Sequence, residues 1–277
     1  MTRVISGVIL AAAALGAILF LPFWALRALA AIVAGFAACE YTSITGRTAH
    51  PETAHRGTGL YGLSHRRLIA RVIVIGAVAY TAWWAGAPQP LRIVVLSLIA
   101  VAWLAVEVLR ESRTLEQAAV DLVAPIYIGA PLGMLAALQM RSGPKATLLL
   151  IATIVISDSA QYYTGRAFGR RPLAPTISPK KTIEGAVGGV LFGTIFMAFA
   201  IQYVFPLTPA LVRVMLGAVV VMFGIVGDLF ESRLKRLADM KDSSNLIPGH
   251  GGVLDRIDAL LFAVPVFYFA ALRMGGA

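Results

Sequence analysis

Apolar segments long enough to cross a bilayer recur along this chain from one end to the other. A transmembrane helix needs about 20 mostly apolar residues. The mean hydropathy of +0.80 and the charged fraction of 14% separate the chain from soluble domains of its size. The sequence therefore predicts an all-α, polytopic integral membrane helix bundle. The nine predicted spans are Val4–Leu21, Phe23–Cys39, Leu68–Gly86, Leu91–Leu109, Leu122–Met140, Ala146–Gly165, Gly185–Phe205, Ala210–Phe230 and Val253–Arg273.

Lysine and arginine are divided unevenly between the two sets of loops that nine spans create. One set holds 18 of the 24 basic residues. Because cytoplasmic loops carry an excess of Lys and Arg, we expect the N-terminus and these loops in the cytoplasm and the C-terminus outside. Any chemistry then lies on the cytoplasmic side of the plasma (inner) membrane. The net charge of +10 fits this topology and an attraction to anionic lipid or nucleotide, so nucleic acid is not an expected partner.

The chain divides into two predicted regions. Residues 1–121 are predicted to form N-terminal transmembrane helices with basic cytoplasmic loops, and residues 122–277 a C-terminal catalytic transmembrane region. The first apolar stretch runs on without a clear cleavage site, so we interpret it as a retained span. Glu40 and Glu107 are predicted to end apolar spans and to cap or contact neighbouring segments.

The stretch SRLKRLADMKDSSNLIPGHGGVLDRID, residues 232–258, concentrates charge in an otherwise apolar chain. Carboxylates bind hard cations through oxygen, and Lys and Arg bind phosphate oxygens. This combination indicates metal-assisted chemistry on phosphates at a membrane surface. The basic candidates are Lys235, Arg236, Lys241 and Arg256, and each one alone is also explained by membrane topology.

Three carboxylates are candidate metal or catalytic groups. Asp228 lies at the inner end of a predicted span, where a carboxylate is costly and usually functional, although an Asp just beyond a helix end would simply contact water. Asp255 and Asp258 are three residues apart, which places both on one helix face. Acidic residues also occur in first helical turns for dipole reasons alone. Together the three carboxylates predict a Mg²⁺ site completed by substrate phosphates.

The segment before Asp255 is a candidate phosphate site. Gly251 and Gly252 would precede a new helix, whose free N–H groups and positive dipole end suit a phosphate. His250 is a candidate general base or phosphate donor, or it only hydrogen-bonds the loop.

A second polar cluster runs from Asp158, inside the sixth span, to Glu184 at the head of the seventh. Its basic segment is Ser178-Pro179-Lys180-Lys181-Thr182. Hydroxyl groups, two lysines and a helix N-terminus suit a triphosphate. The same letters also occur in disordered tails, so the position between two spans carries the functional interpretation.

These motifs resemble the signature of the phosphatidate cytidylyltransferase (CDP-diacylglycerol synthase) family. The segment SPKKTIEGAVGG and the pair Gly227-Asp228 are similar to that family as well. One departure is visible, because Gln161 stands where the family's Asp-x-x-Ala-Tyr pattern has a small residue. The matching signature positions are Ser232, Lys235, Arg236, Lys241, Asp242, Pro248, His250, Gly251, Gly252, Asp255, Arg256 and Asp258.

The resemblance implies a Mg²⁺-dependent reaction of CTP with phosphatidate that yields CDP-diacylglycerol and pyrophosphate. It implies metal ligation by Asp228 and Asp255, with Asp258 supporting, and it is compatible with a homodimer. Asp228, Asp255, Asp258, Lys235 and His250 are then the expected catalytic residues. The expected substrate-binding residues are Asp158, Ser178, Lys180, Lys181, Thr182, Arg236, Lys241, Gly251, Gly252 and Arg256.

Two other classes compete with this interpretation. A transporter or channel would also place carboxylates such as Asp158 and Asp228 within spans, but it predicts polar residues through to the outer face, and here they crowd the inner end. A CDP-alcohol phosphotransferase would carry the acidic motif D-G-x-x-A-R…G-x-x-x-D-x-x-x-D, which the sequence lacks.

Overall fold

The computed structural model describes residues 2–49, 75–83, 123–244, 246 and 251–275. In this part of the chain most residues are helical, which confirms the predicted all-α class. Residues 75–83 are helical, and a π-helical turn, Pro125–Gly129, leads into α3. Six long helices lie within the described ranges, namely α1 (Thr2–Phe20), α2 (Phe23–Ala49), α3 (Ala130–Phe168), α4 (Ile183–Ala200), α5 (Ala210–Leu237) and α6 (Leu254–Met274).

Among the described residues, five helical segments are long and apolar enough to cross a membrane. The protein is therefore a multi-pass helical membrane protein. The predicted span Leu91–Leu109 and the boundary at residue 121 lie outside the described residues. The five segments are Phe23–Gly46, Pro125–Phe168, Ile183–Tyr203, Ala210–Leu237 and Leu254–Met274.

The segment Pro125–Phe168 is much longer than one crossing requires. Its 44 residues would extend about 66 Å as a straight helix, roughly twice the hydrocarbon thickness of a bilayer. The helix is interrupted at Gly143, where φ is 76° and ψ is 174°, just before Pro144. Glycine reaches a positive φ without a steric penalty, and proline removes a helical N–H donor. The interruption falls between the fifth and sixth predicted spans.

At the N-terminal end of the chain, one helix boundary agrees with the sequence-based expectation and one differs from it. Pro22 separates α1 from α2, so the first apolar stretch forms two helices. The second helix continues to Ala49, ten residues beyond the predicted end at Cys39. The prediction that Glu40 ends a span is therefore wrong, because Glu40 lies inside α2.

A short antiparallel hairpin lies between α3 and α4, in the segment between the sixth and seventh predicted spans. Strand β1 (Pro172–Ala174) pairs with β2 (Ser178–Thr182), with Pro172 opposite Thr182 and Ala174 opposite Ser178. Thr182 ends the hairpin and caps α4, since its Oγ1 accepts a hydrogen bond from Gly185 N at 3.1 Å. The hairpin thus fixes where the lysines of β2 lie relative to the start of α4.

The described residues belong to two compact units. The first takes its residues from Met1–Val8, Pro22–Ala137 and Leu234–Asp255, and the second from Ile9–Leu21, Leu138–Arg233 and Arg256–Ala277. In the first unit α2 packs on residues 75–83. The Arg27 guanidinium lies 4.8 Å from the centre of the Trp83 ring and donates to the Trp83 carbonyl oxygen. An arginine in an apolar span is thereby satisfied within the protein.

In the second unit, glycines allow α4 to approach its neighbours closely. A Cβ at Gly193 would lie 2.7 Å from Val221 Cγ2 on α5 and 3.1 Å from Ser157 Cβ on α3. A Cβ at Gly227 on α5 would lie 2.6 Å from the Asp258 carbonyl oxygen on α6. Small residues at such positions let helix backbones come together where no hydrophobic effect drives association.

A glycine on α4, Gly189, also makes room for the Gln161 side chain. A Cβ at Gly189 would overlap Gln161 Cγ and would lie 3.1 Å from the Ser157 carbonyl oxygen. The larger side chain at position 161 therefore fits because α4 carries no side chain opposite it. Gln161 also donates from Nε2 to Asp158 Oδ1 at 3.0 Å, so the departure from the family pattern adds a hydrogen bond to a site carboxylate.

We expect Gly189→Ala to lower the free energy of unfolding by about 1–3 kcal/mol, because the added methyl overpacks against Gln161. Most of this loss should disappear in the Gln161→Ala background, which removes the atom in closest contact. Thermal melting of the four proteins in detergent measures the coupling. An equal loss in both backgrounds would contradict this packing.

Candidate active site

Three predicted site residues come together in the second unit and form, with Gln161, the Asp228 cluster. The Lys181 ammonium on β2 forms an ion pair with the Asp228 carboxylate on α5. Asp158 on α3 lies near enough to both groups for their charges to act on it. Gln161 donates to Asp158, and Ser232 Oγ lies 3.5 Å from Asp228 Oδ1. Elements distant in sequence thus bring two carboxylates and one ammonium into a single polar site.

The hairpin distinguishes the four candidates of the basic segment. Successive side chains of a strand point to opposite faces. Lys181 is half-buried against Asp228, whereas Lys180 is exposed. Ser178 is half-buried at the start of β2, and the Thr182 hydroxyl caps α4. The structure therefore brings Lys181 to the Asp228 cluster and gives Thr182 a structural contact.

A second constellation, the Asp255 cluster, lies in the first unit and consists of Glu40, Lys235, Ser243, Gly252 and Asp255. Asp255 Oδ1 forms an ion pair with the Lys235 ammonium, and the two side chains are only 8% and 12% exposed. Asp255 Oδ2 accepts hydrogen bonds from Ser243 N at 2.9 Å, Ser243 Oγ at 2.9 Å and Gly252 N at 2.8 Å. The carboxylate is held on both of its oxygens.

Glu40 holds the same loop from α2. Its carboxylate is buried, and it accepts hydrogen bonds from Ser243 Oγ, Ser244 Oγ, Val253 N and Leu254 N over 2.7–3.0 Å. The sequence predicted a contact with neighbouring segments here, but not the partner. The sequence did contain a signal for this contact. Glu40 directly follows an apolar run, where a carboxylate is costly unless its hydrogen bonds are satisfied.

The start of α6 differs from the expected phosphate site. We predicted free N–H groups there, but the amides of Gly252, Val253 and Leu254 donate to the carboxylates of Asp255 and Glu40. For these three amides the prediction is wrong. The positive end of the helix dipole is occupied by the protein's own anions, which is a favourable placement for them.

Gly251 and Gly252, which precede α6, are each required to be glycine for a different reason. Gly251 has a φ of +76°, a left-handed conformation that favours glycine. A Cβ on Gly252 would overlap both Ser243 Oγ and Glu40 Oε2. Position 252 therefore has to be a glycine for the hydrogen bonds of the Asp255 cluster to form.

The remaining candidates lie on α5, on α6 and in the segment between these helices. Arg236 is exposed in the last turn of α5, Lys241 is exposed in the segment that follows, and Arg256 is exposed in the first turn of α6. Asp258 is half-buried on α6, and its Oδ1 accepts from Ala259 N at 2.7 Å. His250 lies outside the described residues, so its predicted role stays a prediction.

Comparison with known proteins extends these observations to the whole chain. A model of the cytidylyltransferase family matches residues 1–273. The chain belongs to the cytidylyltransferase family. The match includes the Asp228 cluster, the Asp255 cluster and the apolar helices that carry them.

Three relatives of this cytidylyltransferase-family chain are each named phosphatidate cytidylyltransferase. The chain is 48% identical over 121 residues to the one of Aquifex aeolicus, covering 44% of this chain and 45% of that protein. It is 46% identical over 132 residues to one of Pseudomonas aeruginosa, covering 46% and 49%. For one of Bacillus subtilis the values are 37% over 163 residues, 58% and 60%. The chain spans about half the length of the first relatives it matches.

The carboxylates of the Asp228 cluster are candidate ligands for a magnesium ion. Among the described residues, no group of three or more His, Cys, Asp or Glu side chains could hold a metal. Mg²⁺ is usually bound by one or two carboxylates together with substrate phosphates and water. Asp228, with Asp158 nearby, supplies hard oxygen donors and already accepts a cation, the Lys181 ammonium. The Asp228 cluster therefore fits a hard divalent cation.

Proposed function

We propose that this protein is a CTP:phosphatidate cytidylyltransferase, which makes CDP-diacylglycerol and pyrophosphate for phospholipid biosynthesis. The observation that carries the proposal from the geometry is the pairing of Lys181 with Asp228 beside Asp158. The family match over residues 1–273 and the names of the relatives support the same reaction.

The reaction is a nucleotidyl transfer. A phosphate oxygen of phosphatidate forms a bond to the α-phosphorus of CTP, and the bond from that phosphorus to the bridging oxygen of the β-phosphate breaks. Pyrophosphate leaves in line with the attack. Such a reaction needs positioning and charge stabilisation more than covalent help from the protein.

Within this proposal the basic side chains bind phosphate oxygens. Lys181 and Lys235 are held by Asp228 and Asp255, which limits the conformations of two flexible side chains before substrate arrives. Lys180, Arg236, Lys241 and Arg256 contribute further charge, with Ser178, Thr182 and Gly251 near the phosphates, and His250 assists proton movement.

We propose Mg²⁺ as the cofactor, with Asp228 and Asp255 as its protein ligands and Asp258 and Asp158 in support. When bound, the cation neutralises developing charge on the triphosphate. Asp228 is only partly buried, with 29% of its side chain exposed, so a metal ion could replace the Lys181 ammonium on its carboxylate. Asp255 would offer Oδ1, which pairs with the Lys235 ammonium in this structure, because Oδ2 is held by Ser243 and Gly252.

The proposal also includes the membrane arrangement. Nine spans, a cytoplasmic N-terminus and a site at the cytoplasmic face of the bacterial inner membrane would give CTP direct access from the cytoplasm. The excess of Lys and Arg in one set of loops supports this orientation. A homodimer remains a prediction from the resemblance.

The proposal is tested with purified protein in nanodiscs that contain phosphatidate, supplied with CTP and Mg²⁺. We expect CDP-diacylglycerol, identified by mass spectrometry, to accumulate in step with pyrophosphate. Nanodiscs that contain phosphatidylcholine alone should give neither product. An absence of nucleotide-linked lipid under all of these conditions would refute the proposal.

A further inference from the structure

Glu40 is remote in sequence from the signature that it contacts. Glu40 is 6% exposed, and the hydrogen-bond donors that contact its carboxylate lie between Ser243 and Leu254. We propose that Glu40 is a positioning residue for Asp255, acting on it through the Ser243 hydroxyl. This role rests on the cytidylyl-transfer function proposed above, in which Asp255 takes part.

The hydrogen bonds of Glu40 leave it no capacity for direct chemistry. A carboxylate has about four lone-pair positions. Oε1 accepts Ser244 Oγ at 2.7 Å and Val253 N at 3.0 Å, and Oε2 accepts Ser243 Oγ at 2.8 Å and Leu254 N at 2.8 Å. With three donors of its own and the Ser243 hydroxyl shared with Asp255, Glu40 is suited to fixing the loop, and not to binding a metal or accepting a substrate proton.

Ser243 links the two carboxylates. Its Oγ lies 2.8 Å from Glu40 Oε2 and 2.9 Å from Asp255 Oδ2, and its backbone N also donates to Asp255 Oδ2. A hydroxyl has one proton to donate, so its two contacts are interdependent. A change at Glu40 is therefore transmitted to the oxygen that orients Asp255.

The backbone at Gly252 closes this arrangement. Gly252 N donates to Asp255 Oδ2, and a Cβ on Gly252 would overlap Ser243 Oγ and Glu40 Oε2. With Oδ2 held by Ser243 and Gly252, Oδ1 is directed to Lys235. Since a reactive group displaced by about 1 Å can lose about 10²-fold in rate, the support from α2 matters for turnover.

Glu40→Gln tests this role with almost no change in side-chain volume. The amide keeps one oxygen and replaces the other with an NH₂ group that faces two donors. Cys39→Ala is the matched control, because Cys39 is the exposed neighbour on the same helix. Ser243→Ala and the double variant Glu40→Gln/Ser243→Ala test transmission through the hydroxyl.

Two measurements are made on the full-length proteins in nanodiscs, at a temperature well below the melting point of the least stable variant. The first is the hydrogen-exchange rate of the backbone amides of residues 243–244 and 251–255, with residues 185–200 of α4 as the reference. Steady-state kinetics give kcat and the KM for CTP, with phosphatidate in excess and Mg²⁺ saturating.

For Glu40→Gln we expect at least about tenfold faster exchange at 243–244 and 251–255, unchanged exchange in α4, and a kcat lowered by about 10–100-fold with the KM for CTP within about threefold. Ser243→Ala should lower kcat similarly, and the double variant should be no worse than Glu40→Gln alone. Cys39→Ala should match the wild type.

Other outcomes overturn the role. Faster exchange with a wild-type kcat would show that Glu40 only stabilises the loop, and unchanged exchange would show that its contacts are not formed. If Glu40→Gln does not fold, a wild-type kcat for Ser243→Ala overturns the proposal. An inactive wild type whose loop exchange still responds to Glu40→Gln would instead refute the proposed reaction.

Discussion

Asp228→Asn is expected to lower the rate of CDP-diacylglycerol formation by roughly 10³-fold, without loss of folded protein. The substitution removes the negative charge that holds the Lys181 ammonium and leaves Asp158 as the one carboxylate of the Asp228 cluster. It also removes a proposed metal ligand. Because 29% of the Asp228 side chain is exposed, the structural penalty should be small, and initial rates at matched protein concentration measure the effect on turnover.

Asp239→Asn provides the matched control for this prediction. Asp239 is exposed just beyond the end of α5 and has a φ of 53°. Asparagine tolerates the left-handed conformation well. The control loses the same charge outside both clusters, so its rate and melting temperature should equal those of the wild type. A similar rate loss in both variants would attribute the effect to surface charge.

Asp255→Asn is expected to abolish turnover and also to destabilise the protein by roughly 3–5 kcal/mol. Asp255 accepts three hydrogen bonds on Oδ2 and pairs with Lys235 through Oδ1. An asparagine must turn its NH₂ group toward either the Lys235 ammonium or the N–H donors. The nearly buried ammonium then loses its counter-charge, so both the melting temperature and the rate should fall.

A second substitution separates these two effects. In Asp255→Asn/Lys235→Met, the unpaired buried charge is removed, so much of the lost stability should return. Turnover should stay absent, because the proposed metal ligand and a phosphate-binding lysine are both missing. Normal CTP-dependent activity of folded Asp255→Asn protein would contradict the assignment of Asp255.

The sequence predicted the membrane helices because their signal is local. Apolar runs show where α4, α5 and α6 lie, and the gap between the predicted spans Leu122–Met140 and Ala146–Gly165 contains the break that the structure places at Gly143. The extension of α2 to Ala49 was missed, because the residues after Cys39 become more polar while the backbone remains helical.

Parts of the site depend on contacts that no local pattern reveals. Lys180 and Lys181 are equal candidates from sequence alone, whereas the alternation of side chains along β2 brings Lys181 to Asp228. Glu40 lies about 200 residues from Ser243, so its partner follows from tertiary packing and not from hydropathy. The prediction of free amides at the start of α6 was wrong for the same reason, because the sequence does not show that Glu40 accepts hydrogen bonds from Val253 N and Leu254 N.

The most direct test follows the two ends of the CTP triphosphate. CTP labelled at the α-phosphate or at the γ-phosphate is supplied to the purified protein with phosphatidate and Mg²⁺. We expect the α-label in the lipid and the γ-label in pyrophosphate, in equal amounts, with both signals lost in Asp228→Asn. A γ-label that moves to lipid, or nucleotide that stays intact, would contradict cytidylyl transfer at these carboxylates.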